Sequence, residues 1–264
     1  SRDKLAVSPK FAVMYRPWDW VTFRTSVGTA FRPPNVYELY RTWVSSSGTT
    51  YKANPDLKPE TNLGWEAGTV LKPFKGNTIT ATVFQNFVDD LIYRVLDPSD
   101  PTGKTQIYRN AAEARILGLE LEMTQKLWSW LEVFGNATFI NARVWKNPDE
   151  PESVGKKLTY VPRQTANFGV NVFYRFINFN LTGRYVSKLW TTATNDQKVW
   201  GCKGSYDPYF TLDTKVILTP LALTDSPMKK SYVSFSVNNL LNREYFYSYV
   251  TPGRTFWVQA GLKY

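Results

Sequence analysis

Aromatic rings and cations gather in two predicted loops of this sequence, and these residues are the best candidates for binding a ligand. Flat rings stack on planar groups, and Lys and Arg attract negative charge, so each cluster suits a planar, anionic ligand. Binding residues favour loops that a rigid scaffold positions. The first cluster contains Arg32, Tyr37, Tyr40, Arg41, Trp43, Tyr51 and Lys52, and the second contains Trp190, Lys198, Trp200, Lys203 and Tyr206.

Catalytic and metal chemistry have little support in the sequence. There is no His and a single Cys, Cys202, which excludes a Ser-His-Asp triad, a His-ligated metal and a disulfide within the chain. Gly103-Lys104-Thr105 ends like a P-loop, but Pro98 stands where the first Gly is required. Glu120 and Glu122 share a strand face as a glycosidase pair would, yet a solvated polar wall explains them better. We therefore expect no enzyme activity, no cofactor and no resident metal.

Composition also restricts the class of protein. The 264 residues carry a formal net charge of +10, from 32 Lys and Arg against 22 Asp and Glu. The cations are scattered, whereas a nucleic-acid-binding protein concentrates them on one stripe or arm. Hydrophobic residues make up 43% and aromatic residues 16%, which favours many half-exposed rings over one large dry core. No run of 18 apolar residues encodes a transmembrane helix.

The elements that must position the two clusters are β-strands. Apolar residues recur at every second position, most clearly at Leu117, Leu119, Leu121 and Met123, with Gly or polar residues between them. Many of the segments exceed the usual five or six residues and reach the 9–11 that a tilted membrane-spanning strand needs. We predict eleven strands, at about 4–16, 19–31, 61–73, 77–95, 106–127, 130–144, 164–174, 177–190, 207–219, 230–239 and 253–264.

The predicted connections alternate in length. Short turns are expected near residues 17–18, 74–76, 128–129 and 175–176, with a moderate one at 220–229, and long loops at 32–60, 96–105, 145–163, 191–206 and 240–252. In an antiparallel meander successive connections lie at opposite ends, so short and long loops separate. Outer-membrane barrels have this arrangement, with short periplasmic turns and long outer loops. The prediction is an all-β fold, a transmembrane antiparallel up-and-down β-barrel.

The two faces of the sheet allow two interpretations. A soluble sheet would bury its apolar face under a second layer and expose the polar face. We favour the inverse, in which the apolar face contacts lipid and the polar face lines an aqueous lumen. The polar set is Glu120, Glu122, Lys126, Glu132, Asn136, Asn167, Asn171, Asn180, Arg184, Asp213 and Lys215. Rings near strand ends suit the headgroup level; they are Tyr15, Trp18, Trp20, Trp128, Trp130, Tyr174, Tyr185, Trp190 and Trp257.

This interpretation has consequences for the loop clusters and for the strand count. The rings of the two loop clusters could equally belong to the headgroup belt, and the cations of these clusters could contact anionic lipopolysaccharide, so two roles stay open.

A lipid-facing sheet cannot leave an edge unpaired, and bacterial single-chain barrels have even strand numbers. With eleven strands, and with Ser-Arg-Asp-Lys in place of a start methionine or signal peptide, we expect that another part of the polypeptide supplies further strands.

Several motifs carry a family resemblance. Phe31-Arg32-Pro33-Pro34-Asn35-Val36-Tyr37-Glu38-Leu39-Tyr40 resembles a box of the TonB-dependent outer-membrane receptors. Asn54 to Thr61 with Trp65-Glu66-Ala67-Gly68 resembles a second box, and Tyr108-Arg109-Asn110-Ala111 with Gly118-Leu119-Glu120 a third. Asn238 to Tyr245 and Pro252 to Phe256 resemble the C-terminal segments of the family's sequences, although Tyr264 stands where Phe is common. The resemblance covers residues 5–264 in the family's order and spacing.

The resemblance implies a 22-strand barrel with an N-terminal plug and a TonB box. Residues 1–264 would then be the C-terminal half of that barrel, with the plug and the TonB box absent from this chain. It further implies a bacterial outer-membrane location, and partners in outer-membrane lipid, lipopolysaccharide, the missing N-terminal part and, through it, the TonB-ExbB-ExbD complex. The implied function is TonB-coupled uptake of a scarce nutrient, with a ferric siderophore as the leading ligand, cobalamin second and haem third.

Each box also has a local physical explanation. Pro33-Pro34 cannot donate hydrogen bonds to a neighbouring strand, so the strand ends there. Asn54-Pro55 and Lys58-Pro59 keep the chain extended, and pairing resumes after them. Asn238-Asn239 and Asn242 favour turn conformations. Structural roles for the boxes are therefore favoured over ligand contact.

Two rival functions remain at the level of sequence. A passive pore or a structural barrel would need no plug, and the sequence upstream of Ser1 would decide this. An outer-membrane hydrolase would need a nucleophile motif and usually a His, and neither is present.

Overall fold

The computed structural model describes residues 7–196, 205–247 and 249–263. Within them the chain is almost entirely β-structure. The strands are β1 (Lys10–Trp18), β2 (Val21–Arg32), β3 (Trp43–Val44), β4 (Thr50–Lys52), β5 (Glu60–Leu71), β6 (Asn77–Leu96), β7 (Thr105–Trp128), β8 (Leu131–Lys146), β9 (Gln164–Tyr174), β10 (Ile177–Val186), β11 (Leu189–Trp190), β12 (Ser205–Tyr206), β13 (Tyr209–Leu218), β14 (Tyr232–Asn238), β15 (Phe246–Tyr247), β16 (Tyr249–Val250) and β17 (Thr255–Gly261). The helix α1 (Val36–Tyr40) and 3-10 turns at Pro151–Ser153 and Pro220–Leu223 lie in connections.

Eleven long strands form one antiparallel sheet, in the order β1-β2-β5-β6-β7-β8-β9-β10-β13-β14-β17. They are the eleven predicted strands, each paired with its predecessor along the chain, so the up-and-down meander is confirmed. The sheet is a single layer: Phe11, Phe168 and Val258 are all more than half exposed. No second layer covers the apolar side chains among the described residues, so the alternative of a soluble two-layer sheet is wrong. β1 and β17 each have one partner among the described residues, so the sheet is open along both edges.

The strand bounds depart from the prediction most clearly at β1. The predicted turn at 17–18 lies instead at residues 19–20, and β1 extends through Pro17. Pro17 lies next to the turn, where the register of β1 with β2 shifts between Tyr15 and Trp18, and such an irregularity accommodates a proline. The eighth predicted strand is divided into β10 and the short β11.

The connections separate by length as predicted. The short turns at 19–20, 72–76, 129–130, 175–176 and 219–231 lie at one end of the sheet, here named the short-turn end. The connections 33–59, 97–104, 147–163, 187–208 and 239–254 lie at the other, the long-loop end. No helix in the described ranges is long and apolar enough to span a bilayer.

Polar side chains on one face bond across neighbouring strands. Residues that pair directly in register project to the same side, and this side, which carries Glu120 and Glu132, is named the polar face. Asn171 donates to Glu132 Oε1 at 3.0 Å, and Asn180 donates to Asn171 at 2.7 Å. Asn167 donates to Asn136 at 2.9 Å, four residues further along the strands. Five members of the predicted polar set therefore bond across β8, β9 and β10.

The opposite side is named the apolar face. Its large side chains are exposed, with uncharged polar residues such as Thr25, Thr69 and Gln85 among them in mid-strand. They include Phe23, Leu63, Val83, Leu117, Leu121, Met123, Phe139, Phe168 and Phe235. A face of this kind needs an apolar environment, since soluble monomers rarely expose apolar patches beyond a few hundred Å².

Stacked Trp pairs mark the short-turn end. Trp18 and Trp20 stack with ring centroids 5.9 Å apart, and Trp128 and Trp130 do so at 5.3 Å. These rings occupy the positions predicted for an interfacial belt. Trp257 does not fit that prediction, because its register with Ser236 places it on the polar face.

The pairing of β6 with β7 contains two irregularities that cancel. The register shifts between Val88 and Leu91, where Asp90 adopts a φ of 58°, and shifts again between Leu91 and Ile92. The first shift adds a residue to β6 and the second adds Ala111 to β7. Beyond both, Arg94 pairs with Tyr108 in the original register.

The buried residues concentrate near the long-loop end, where loops fold over the parts of β6, β7 and β8 that lie nearest to this end. Leu57 and Val95 are 2% exposed, and Ala114 is fully buried. Small residues in β7 and β8 let these loops approach the sheet closely. The core of the described structure therefore holds the long loops in place.

Gly118 in β7 is required by the ring of Phe84, which lies over it from β6 on the polar face. A Cβ at this position would collide with that ring. We expect Gly118→Val to lower the free energy of unfolding by about 1–3 kcal/mol, measured by denaturant titration of the full-length protein in lipid vesicles. Phe84→Ala in the same protein should remove most of the loss. Gly135→Val in β8, where a Cβ would meet atoms only at 3.6 Å and beyond, is the control and should change little.

Candidate ligand-binding site in the long loops

The first long loop begins with a capped helix. The Asn35 side chain accepts a hydrogen bond from the Glu38 amide at 2.9 Å, and the Glu38 carboxylate accepts one from the Asn35 amide at 2.8 Å. This capping box explains why the segment after Pro33-Pro34 becomes α1. The sequence predicts a strand end at Pro33-Pro34, which is confirmed, but it does not predict the helix α1 that follows.

Arg32 is held by two carboxylates. It forms a two-point pair with Glu60, both N···O distances being 2.7 Å, and contacts Glu38 at 3.2 Å. Glu60 also accepts a hydrogen bond from the Ile92 amide at 2.8 Å. Arg32 therefore ties β2, β5 and α1 together, and Glu60 joins β6 to them. Of the predicted ligand contacts, Arg32 is the one most clearly engaged in structure.

The second and third boxes contact each other. The short strand β4 pairs in parallel with the start of β7, joining Thr50 to Thr105. Asn54 donates to the Tyr108 carbonyl at 2.8 Å, and Asn110 accepts from the Lys58 amide at 2.8 Å and donates to the Lys58 carbonyl at 2.9 Å. The loop thus runs along the edge of the β6–β7 hairpin, beyond the point where β8 ends.

Four side chains form a continuous stack beside this edge. Trp43 and Tyr51 stack at 4.3 Å between centroids, the Arg94 guanidinium lies 4.9 Å from the Tyr51 ring, and the Tyr108 ring lies 6.0 Å from Arg94. Trp43 is 42% exposed. The stack therefore offers an accessible ring next to a cation, which is the chemistry predicted for this loop.

The other predicted residues of the first loop lie around the stack or on α1. Arg41 lies 4.8 Å from the Tyr37 ring, and Tyr37 and Tyr40 are both exposed. Lys52 pairs with Asp97 at 3.3 Å, which joins the loop to the tip of the β6–β7 hairpin.

The second predicted cluster is described only in part. Lys188 lies 4.4 Å over the Trp190 ring, and the Trp190 carbonyl accepts a hydrogen bond from the Tyr160 amide at 2.7 Å. Tyr206 meets Tyr160 with ring centroids 6.4 Å apart. The remaining predicted residues of this cluster, Lys198, Trp200 and Lys203, lie outside the described residues.

Sequence reasoning missed Arg94 and Tyr108 as members of the stack. Tyr108 carried a signal, because it opens the third box next to Arg109. Arg94 carried no such signal: it lies near the end of β6, outside every motif, and reaches Tyr51 only through the folding of a separate loop.

Asp97 provides a pH-dependent clamp on this loop. Hydrogen bonds from the Ser99 hydroxyl and amide, and then Lys52, lower the pKa of Asp97. A lowered pKa stabilises the folded loop above the unfolded value of about 4, and this stability is lost as the pH falls through the folded pKa. We expect Asp97→Asn to speed amide exchange in Thr50–Lys52 at pH 7, and expect the difference from wild type to disappear as the pH falls through the lowered pKa of Asp97. Comparing both proteins at each pH cancels the intrinsic exchange rate; an unchanged difference would contradict the clamp.

The described residues contain no group of three or more His, Cys, Asp or Glu side chains placed to hold a metal ion. The contacts described in the long loops are ring stacking, cation–ring contacts and ion pairs.

Comparison with known proteins agrees with this geometry. The family model for the TonB dependent receptor-like β-barrel matches residues 1–240. The chain belongs to the TonB-dependent receptor β-barrel family. The eleven-strand meander is the family's fold, and the location of the protein is the bacterial outer membrane.

Curated relatives and solved structures of TonB-dependent receptors match most of the chain. The iron-regulated outer membrane virulence protein of Vibrio cholerae is 27% identical over 263 residues, covering 92% of this chain and 37% of that protein. The ferric enterobactin receptor of Pseudomonas aeruginosa superposes with a TM-score of 0.73 at 19% identity, covering 95% of this chain and 40% of that chain. The ferric citrate transporter FecA gives 0.74 at 17% identity, covering 97% and 38%. The chain thus spans little more than a third of the length of these proteins.

Proposed function

We propose that residues 1–264 are the C-terminal half of a 22-strand receptor barrel. Further strands, a plug and a TonB box would lie elsewhere in the polypeptide. The open edges of β1 and β17 support this, because unpaired backbone groups are costly in lipid. The fraction of the relatives' length that the chain covers supports it as well.

We further propose that the whole protein takes up a ferric siderophore across the outer membrane. The observation that carries this is the exposed Trp43 ring stacked beside Tyr51 and Arg94, on a member of the TonB-dependent receptor family. A ring next to a cation suits a planar, anionic chelate. The name of the Vibrio cholerae relative, an iron-regulated protein, favours an iron ligand over cobalamin. Haem ranks third among the candidate ligands, since this chain has no His that could ligate the haem iron.

The proposed mechanism involves binding rather than catalysis. The long loops capture the chelate outside the cell, and the TonB-ExbB-ExbD complex, acting through the plug, drives its entry. The apolar face contacts outer-membrane lipid, and cations near the long loops contact lipopolysaccharide. No step in this mechanism requires an enzyme activity.

Uptake of labelled compounds by cells that carry or lack the full-length gene tests the proposal, with an iron label on the ferric chelates and haem and a cobalt label on cobalamin. A panel of ferric siderophores, ferric citrate, haem and cobalamin should show gene-dependent uptake of at least one ferric siderophore. That uptake should stop when the proton gradient is dissipated. If uptake of every iron chelate is unchanged by the deletion, the siderophore proposal is wrong. If uptake persists without the gradient, the protein is a passive pore.

The stack itself makes a sharper prediction. Trp43→Ala and Arg94→Gln should each weaken binding of the transported chelate to the full-length receptor by about three- to tenfold. Trp145→Ala is the matched control, because Trp145 is 63% exposed but lies at the end of β8, away from the stack. Titration of the purified receptor, followed by its intrinsic fluorescence, measures the affinity. Equal losses in all three variants would assign the stack no special role.

A further inference from the structure

A row of cations lies on the apolar side of the sheet, immediately above its apolar band. Arg115, Arg143 and Lys157 are directly paired in register across β7, β8 and the following loop. Directly paired residues project to the same side. This side also carries Leu117 in β7 and Phe139 in β8, both nearer to the short-turn end. The row therefore faces outward from the barrel wall, not into the lumen.

The height of the row matches the outer boundary of the bilayer. Leu117 is separated from Trp128, in the belt at the short-turn end, by eleven positions of β7. At about 3.3 Å per residue and a tilt of about 40°, this is about 28 Å. The apolar band of an outer-membrane barrel is about 25 Å tall. The cations thus begin where the outer headgroups begin.

An apolar cleft of about 300 Å³ opens directly below the row. Val83, Leu117 and Phe139 form its apolar part, and Asn141 and Arg163 lie at its polar part. Its volume is enough for part of an acyl chain, and the cation Arg163 in its lining is placed to meet a headgroup.

The charge of the row is only partly neutralised. Arg115 is paired with Asp89 at 3.6 Å and with Glu113 at 3.7 Å. Arg143 donates only to neutral acceptors, Asn141 Oδ1 at 3.0 Å and the Gly155 carbonyl at 2.6 Å, so its charge stays uncompensated. In the described part of the chain, the side chains of Lys157 and Arg163 form no ion pair with a carboxylate.

We propose that this surface binds a phosphorylated lipid of the outer leaflet. An acyl chain occupies the cleft over Val83, Leu117 and Phe139, and the phosphate is bound by Arg143, Lys157 and Arg163. Phosphate suits the site because guanidinium groups bind its oxygens through two N–H donors at once. The inference rests on the lipid contact of the proposed function and gives it a location and a chemistry.

The test uses the purified full-length receptor, freed of lipid and titrated in detergent, with binding followed by native mass spectrometry. The probes are a diphosphorylated lipid A, the same lipid without its phosphates, and inorganic phosphate. Wild type should bind the phosphorylated lipid at least tenfold more tightly than the phosphate-free lipid. The variant R143Q/K157Q/R163Q should lose this preference. A control with three cations removed at the short-turn end, K72Q/K75Q/K126Q, should keep it.

Each other outcome overturns the proposal. Equal binding of both lipids by wild type would show that phosphate is not recognised, and an unchanged preference in the triple variant would place the site elsewhere. If inorganic phosphate at the same concentration as the lipid displaces the lipid, the surface binds anions in general and has no lipid site. Because Arg143 also bonds Gly155, R163Q alone is included; it keeps that contact and should lose part of the preference. Iron uptake by R163Q cells should be normal, which separates failure here from failure of the transport proposal.

Discussion

Arginine in place of Leu121 is expected to cost about 2–4 kcal/mol of folding free energy in a bilayer. Leu121 is 40% exposed on the apolar face, in the part of β7 between the Trp128 belt and the cation row. If this face contacts hydrocarbon, a charge there loses its hydration without gaining a partner. The measurement is denaturant-dependent folding of the full-length protein into lipid vesicles.

The matched control is Asn136→Arg, which adds the same charge on the neighbouring strand. Asn136 pairs in register with Glu122 on the polar face, so a new cation there meets water and a carboxylate. It should change the folding free energy by less than about 1 kcal/mol. Similar losses in both variants would contradict the assignment of the two faces, and with it the lumen.

Removal of the Glu60 carboxylate is expected to release the first long loop. Glu60→Ala takes both 2.7 Å contacts from Arg32 and leaves the Ile92 amide without its acceptor. Leaving such donors unsatisfied costs about 1–3 kcal/mol, so local opening of residues 33–59 should rise roughly tenfold to a hundredfold. Limited proteolysis and amide exchange of the full-length protein would report it, and affinity for the transported chelate should fall in parallel.

Two further variants make the Glu60 experiment specific. Glu60→Gln keeps an oxygen for the Ile92 amide but removes the charge that pairs with Arg32, so its loop should open to an intermediate degree. Glu152→Ala removes a carboxylate from the 3-10 turn of another long loop and should leave residues 33–59 unchanged. If Glu60→Ala resembles Glu152→Ala, Arg32 and Glu60 do not hold the loop.

The wall of the sheet could be predicted from sequence because its determinants are local. The alternation at Leu117 to Met123 fixes which side chains share a face, and the Pro33-Pro34 pair ends β2 at Arg32. Asn239 and Asn242 adopt positive φ values, as their turn preference indicated. The turn after β1 lies two residues beyond its predicted place because Pro17 normally ends a strand, whereas here it lies at a shift in the register between β1 and β2.

The candidate site could be predicted only as a list of residue types. Tyr51 and Arg94 are brought together by the parallel pairing of β4 with β7, which joins segments more than 50 residues apart and has no local signal. The same folding also places Arg32, a candidate ligand contact, in an ion-pair network with Glu38 and Glu60. Which loop residues contact the ligand stays a prediction, and the stack of Trp43, Tyr51, Arg94 and Tyr108 is its most specific form.

The two cancelling irregularities in the β6–β7 hairpin constrain how this protein can vary during evolution. Loss of only the extra residue of β6 near Asp90 would shift the register, so that Arg94 would no longer pair with Tyr108. The side chains at the hairpin tip would then project from the opposite face of the sheet. Loss of Ala111 as well would restore the match. Related genes should therefore gain or lose these two residues together, and a lineage with only one of them should carry a different set of side chains at the tip.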